Sequence, residues 1–212
     1  HFDGICAYVD PVSFAAALAV VTQRAKIGFA VAQMSLHHPI RMAEQMALID
    51  NISKGRLIVG LGRGTAYNIY DYQGFGLDHT EAQARFEEAE AIMFHSWRGE
   101  EFEHHGRFWD LKVPMLRPLS YTKPHPVVIR SASSEEGMLH IAQQGRPFMM
   151  NVQSNAVTRH RMAYLSRVIA PAVADRLAGV ARRFRASEYM LTKAACDVLL
   201  RQHGVTDAVT AL

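Results

Sequence analysis

Two short stretches of this chain carry residue types that can hold an anion. One is Gly60-Leu61-Gly62-Arg63-Gly64, where glycines that let a backbone come close to a ligand flank an arginine whose planar fork matches two oxygens of a phosphate. The other is Ser131-Ala132-Ser133-Ser134, three hydroxyls ahead of a stretch with helical spacing. If each follows a strand of one parallel sheet, both lie on the same rim. A guanidinium, two or three hydroxyls and the free amides of a helix N-terminus then meet one phosphate, with no metal required. The plainer reading stays open beside it: a strand and a loop, serines that only cap a helix, and an arginine that only pairs with a surface carboxylate. Short glycine motifs often match by chance.

Other chemistries find less support. His37-His38 and His104-His105 are adjacent pairs whose side chains diverge, with no cysteine or carboxylate at metal-ligand spacing, so they read as loop or cap residues and no metal is expected. Met46, Met93, Met149 and Met150 read as core filler. No Gly-x-Ser-x-Gly elbow, Walker loop or Cys-x-x-Cys occurs. Arg130, inside an apolar run, must find a partner or face a cavity.

The elements that must position the two stretches follow from periodicity. Asp10-Pro11 opens a helix on which Phe14, Ala17, Leu18 and Val21 recur. Residues 26–32 form a short apolar strand whose small residues leave room for something flat. After a polar break at 33–38, a helix runs from Pro39 to about Ser53, with Ile40, Ala43, Met46, Ala47 and Asp50 on one stripe and Lys54-Gly55 as its stop. Residues 56–61 are the strand that delivers Arg63, and residues 62–79 a long loop. Thr80-Glu81-Ala82-Gln83 fits a capping box for a helix carrying Phe86, Ala89, Met93 and Trp97. Residues 101–109, turning at His105-Gly106, read as a hairpin, and 114–126 as an extended connection. A strand over 127–131 leads to a helix capped by Ser133 or Ser134, running through His140 and Ala142 and closed by Gly145. A strand at 147–151, a helix over about 156–170 and an almost wholly helical stretch over 172–200 complete the chain.

Alternating strands and helices argue for a parallel sheet with right-handed crossovers, and 212 residues suit a single α/β domain. About four core strands are visible against the eight of a closed barrel, so edges must be paired or covered. With 49% apolar residues and a net charge of only +3, dispersed, the chain is expected to be globular, without a nucleic-acid or membrane footprint. The two cysteines, Cys6 and Cys196, make a disulfide framework improbable and a reducing cytoplasm the expected compartment. The start at His1, with no signal peptide, points to a fragment or a processed product.

Taken in order, His38-Pro39-Ile40-Arg41-Met42-Ala43-Glu44-Gln45, Leu48-Ile49-Asp50, Ser53-Lys54-Gly55-Arg56, Gly60-Leu61-Gly62-Arg63-Gly64, Phe75-Gly76 and Arg85-Phe86-Glu87-Glu88 resemble the bacterial luciferase-like monooxygenases, over roughly residues 1–165. The resemblance implies a (β/α)8 TIM barrel, incomplete here: about strands three to six lie within 1–170, and 171–212 is a divergent helical segment. It implies oxidation of a small organic substrate by O2 and a reduced flavin, FMN or, in a sister branch, the deazaflavin F420. It also implies a homo-oligomer or heterodimer, supplied with reduced flavin by a reductase.

Residue by residue, the resemblance puts Arg63 on the flavin phosphate with Ser131 and Ser134 as hydroxyl partners. Ala30-Val31 falls where the family often has a non-prolyl cis peptide under the flavin ring. Gly62 stands where light-emitting members have a cysteine, which argues against light emission. His1-Phe2 resembles the end of a Glu-His-His-Phe motif, making His1 the candidate catalytic residue, while the usual base would precede it. Two further readings therefore stand: a non-catalytic flavin-binding or subunit-partner protein on a shortened barrel, and an F420-dependent oxidoreductase.

Overall fold

The computed structural model describes residues 10–64, 68–132, 134–144, 146–150, 154–164 and 167. At the start of the described chain, Asp10 Oδ2 accepts the Ser13 amide at 2.8 Å and caps helix α1 (Pro11–Val21), whose first turn holds a proline where no N–H is needed. Val12, Ala15 and Ala19 form its buried face.

The strand expected over 26–32 is two pieces, β1 (Ile27–Gly28) and β2 (Ala32–Gln33). Both run parallel to β3 (Leu57–Gly62), which is buried along its whole length. Register explains the break. Ile27 faces Leu57 while Ala32 faces Leu61, so this side holds one residue more than β3 between the same rungs, the mark of a bulge. The Ala30–Val31 peptide bond within it is cis.

Helix α2 (Pro39–Ser53) has the expected bounds and stop: Lys54 is left-handed at φ 55° and Gly55 follows at φ 81°. The next residue, Arg56, ties the helix ends to the sheet. Its guanidinium donates to the carbonyls of Ser53, Ala19, Thr22 and Ala25 and to the Thr22 hydroxyl, at 2.6–2.9 Å, placing a cation where two helix C-termini leave carbonyls unsatisfied. Asp50, fully buried, accepts the Thr122 amide at 2.7 Å and the Thr122 hydroxyl at 3.2 Å. Asn51 adds a bond to the Leu119 carbonyl, so the Pro-rich connection is fastened to α2.

Residues 62–79 are not a plain loop, because α3 (Ile69–Gly74) lies within them. The capping box expected at Thr80 is not formed either. Asp78 Oδ1 takes the Thr80 amide at 2.8 Å, so a 3-10 turn (His79–Glu81) precedes α4 (Ala82–Ser96). The hairpin pairs β4 (Phe102–His105) with β5 (Asp110–Val113), its second strand starting just past the expected end. Glu88 of α4 accounts for the longer turn: its carboxylate accepts the amides of Arg107, Phe108 and Trp109 at 3.0–3.2 Å and meets His104 Nε2 at 3.1 Å. Met46 and Met93 are fully buried in this core, as expected of filler, whereas Met149 and Met150 are half-buried.

Contacts divide the chain into two units between Val128 and Ile129. Strand β6 (Val127–Ala132) begins in the first unit, where Val128 packs against the core. In the second unit β6 runs parallel to β7 (Phe148–Met150), with Ser131 opposite Met149, and is followed by α5 (Glu135–Gln143) and, after β7, α6 (Asn155–Tyr164). Met138, Ile141 and Phe148 are part of its own small core. Arg130 is buried and has a partner, as its place in an apolar run requires. His1, Ser133, Gly145, Asn151, the last residues of the helix expected over about 156–170 and the helical reading of 172–200 lie outside the described residues.

Two measurements check these contacts. Arg56→Lys keeps the charge but loses the fork, and should lower the unfolding free energy in urea by about 1–3 kcal/mol; an unchanged midpoint would contradict its tying role. For Glu88, burial alone raises the carboxyl, but the His104 hydrogen bond and the Trp109 and Phe108 amides outweigh it and hold the group below the usual glutamate range. A carboxyl depressed on folding stabilises above its unfolded-state value, and that stability is lost as pH falls through the folded value. Urea midpoints followed down through about pH 4 should therefore drop more steeply for the wild type than for Glu88→Gln. Equal slopes would refute the assignment.

Candidate functional site

At the C-terminal end of β3 the backbone is packed too closely to carry a side chain. A Cβ at Gly62 would lie 2.6 Å from Val31 Cγ2, so the bulge and the strand end meet through a residue that must be glycine. Val31 is half-buried and Ala30 exposed. Beyond Arg63, Gly64 has φ 84°, and a Cβ there would overlap the Gln33 side-chain amide. That Gln33 nitrogen is buried and has no hydrogen-bond partner among the described residues. Ala30, Val31, Gly62 and Arg63, four of the residues singled out from the sequence, are thus neighbours on one rim.

Arg63 is held by its main chain. Its carbonyl accepts the Ser35 hydroxyl at 2.8 Å and the Tyr72 hydroxyl at 2.5 Å, and the two hydroxyl oxygens are 2.5 Å apart. Ser35 comes from the 3-10 turn (Met34–Leu36) after β2 and Tyr72 from α3; both are buried. The Arg63 side chain is exposed, and its guanidinium makes no hydrogen bond or ion pair among the described residues.

A second arginine is tied to Ser35. Arg85 Nε donates to the Ser35 carbonyl at 3.4 Å, and its guanidinium lies over the rings of Phe108, at 4.7 Å, and Trp109, at 5.1 Å. Ser35 therefore holds Arg63 with its side chain and Arg85 with its main chain. In the sequence Arg85 stands out only within a family block; Glu88, one turn later, fixes the Phe108-Trp109 turn and so makes this stacking surface. Tyr72 was hidden in a stretch that read as loop.

His37, at the end of the 3-10 turn, is pushed below its usual pKa by burial, against an opposing pull from Asp10. It is therefore a neutral imidazole at neutral pH, its ring 6.4 Å from Phe75. His38 precedes α2 without a side-chain cap bond.

In the second unit, Ser131 is half-buried in β6, and Ser134 is the cap: its Oγ accepts the Gly137 amide at 3.1 Å. A serine hydroxyl that accepts in this way still has an O–H that can donate. Among the described residues no group of three His, Cys, Asp or Glu is placed to hold a metal ion, and no helix is long and apolar enough to cross a membrane.

The family model of luciferase-like monooxygenases matches residues 1–185. The oxygenase component of the flavin-dependent trigonelline monooxygenase of Acinetobacter baylyi is 31% identical over 122 residues, 56% of this chain and 34% of that protein. The alkanal monooxygenase beta chain of Aliivibrio fischeri is 26% identical over 155 residues, 73% of this chain and 47% of that one. In fold, the chain is similar to the oxygenating constituent of 3,6-diketocamphane monooxygenase from Pseudomonas putida, solved in complex with FMN. The TM-score is 0.64 over 94% of this chain and 66% of that one; at 17% identity this is a likeness of fold alone. It agrees with the α/β, TIM-barrel-type class expected from the sequence, over part of a barrel. The chain spans less than half the length of the curated relatives it matches. Because the family model covers most of its length, this chain belongs to the luciferase-like monooxygenase family.

Proposed function

We propose that the chain is part of a flavin-dependent monooxygenase in which Arg63 holds the phosphate of FMN while a small organic substrate is oxidised with O2. The observation that carries this is the exposed guanidinium at the end of β3, fixed through its main chain and uncommitted among the described residues. An arginine fork presented from rigid backbone suits bidentate binding of a phosphate ester, so the residues present fit the group. Arg85, tied to Ser35, adds a second positive charge. Ala30 and Gly62 add little or no side chain to this rim, which suits a flat ring beside the backbone. When bound, the flavin supplies the electrons that activate O2. The residues of this chain bind it, orient it and set the charge around its phosphate.

A second reading, a subunit partner that binds flavin without turnover, has an observation of its own. Helix α1 has no charged residue and exposes Phe14, Val20 and Val21, and α2 exposes Leu48, apolar surface of the kind another chain covers. A relative described as a beta chain is consistent with it. Oxygen uptake with reduced FMN, set beside turnover with reduced F420, separates the monooxygenase, the partner and the F420-dependent reading.

Titrating the protein with FMN while following flavin fluorescence tests the anchor. Arg63→Ala should weaken binding by about 1–3 kcal/mol, the worth of a hydrogen bond to a charged group. Unchanged affinity would remove Arg63 from the site.

A further inference from the structure

We propose that Ser35 and Tyr72 are positioning residues for Arg63: two buried hydroxyls converging on its carbonyl fix the direction in which its guanidinium leaves the rim, and so set the affinity for a phosphate group. This rests on the reading that Arg63 binds the flavin phosphate.

Three oxygens lie within 2.5–2.8 Å of one another, Ser35 Oγ, Tyr72 Oη and Arg63 O, and only two hydrogens are available to join them. Either both hydroxyls donate to the carbonyl, or one donates to the other and the second donates to the carbonyl. In each arrangement the Arg63 carbonyl keeps at least one bond. Ser35 is 0% and Tyr72 2% exposed, so water does not substitute for either hydroxyl.

The three groups come from three segments: the turn after β2, helix α3 and the end of β3. Together they hold the peptide unit between Arg63 and Gly64, whose orientation sets ψ of Arg63. The arginine side chain has no hydrogen bond of its own among the described residues, so this main-chain anchor is what prepares it. Less freedom is then lost when a phosphate orders it. Removing one hydroxyl leaves the other in reach of the carbonyl, so the two are expected to act as a coupled pair.

Riboflavin carries the same ring as FMN without the phosphate, so the ratio of the two affinities isolates the phosphate contact. The ratio is to be measured for the wild type, Arg63→Ala, Ser35→Ala, Tyr72→Phe and the double variant Ser35→Ala with Tyr72→Phe. The wild type should prefer FMN by about tenfold or more, and Arg63→Ala should remove the preference. Each single hydroxyl variant should lower the ratio about two- to threefold, and the double variant should bring it close to that of Arg63→Ala, with riboflavin affinity unchanged throughout. A double variant that keeps the wild-type ratio while Arg63→Ala loses it overturns this inference and leaves the anchor standing. A wild type without preference, or an Arg63→Ala variant that keeps it, overturns the anchor and the inference together. If Tyr72→Phe fails to fold by circular dichroism, Ser35→Ala decides alone. Equal loss for both flavins in that variant would show a merely structural role and overturn the inference.

Discussion

The rim depends on the close approach of Gly62 to Val31. A strand buried along its whole length can deliver a charged residue to solvent only at its end. Here that end is fixed because the neighbouring segment, lengthened by one residue, sets a valine side chain where a Cβ would stand. Any side chain at 62 would push the two apart and change where Arg63 emerges. The Ser35 and Tyr72 hydroxyls then take over from the ladder just where β3 stops, so the chain leaves the sheet in one direction.

The other end of β3 is secured by different chemistry. Arg56 satisfies carbonyls at the ends of α1 and α2, and Asp50 binds the Pro-rich connection. One arginine near the start of the strand is therefore saturated with protein carbonyls, while the one just past its end is saturated with none among the described residues. Residue type alone does not separate them. The difference is position: Arg56 follows a helix stop and faces unsatisfied carbonyls, whereas Arg63 passes the last rung and faces water.

Much of this was legible in the sequence because it is local. Asp10-Pro11, the 39–53 helix with its Lys54-Gly55 stop, and the strands leading to Arg63 and Ser131 follow from caps, glycines and apolar runs, and their alternation led to the α/β class. The resemblance added the place of the Ala30–Val31 cis peptide, which periodicity cannot show. What was missed is non-local. The bulge depends on register against β3, the Asp78 turn on competition between two caps two residues apart, and the length of the hairpin on Glu88 from another element. Tyr72 and Arg85 take their roles from partners far away in sequence, Ser35 above all, and no spacing rule connects them.

In the proposed function this rim binds a phosphate ester through Arg63. Phosphorus NMR of FMN bound to the protein tests it most directly, because it observes the phosphate itself. Held by arginine, the bound phosphate should give a shifted resonance and remain dianionic below the ordinary second pKa of about 6. A bound ring whose phosphate keeps the shift and titration of free FMN would contradict the account.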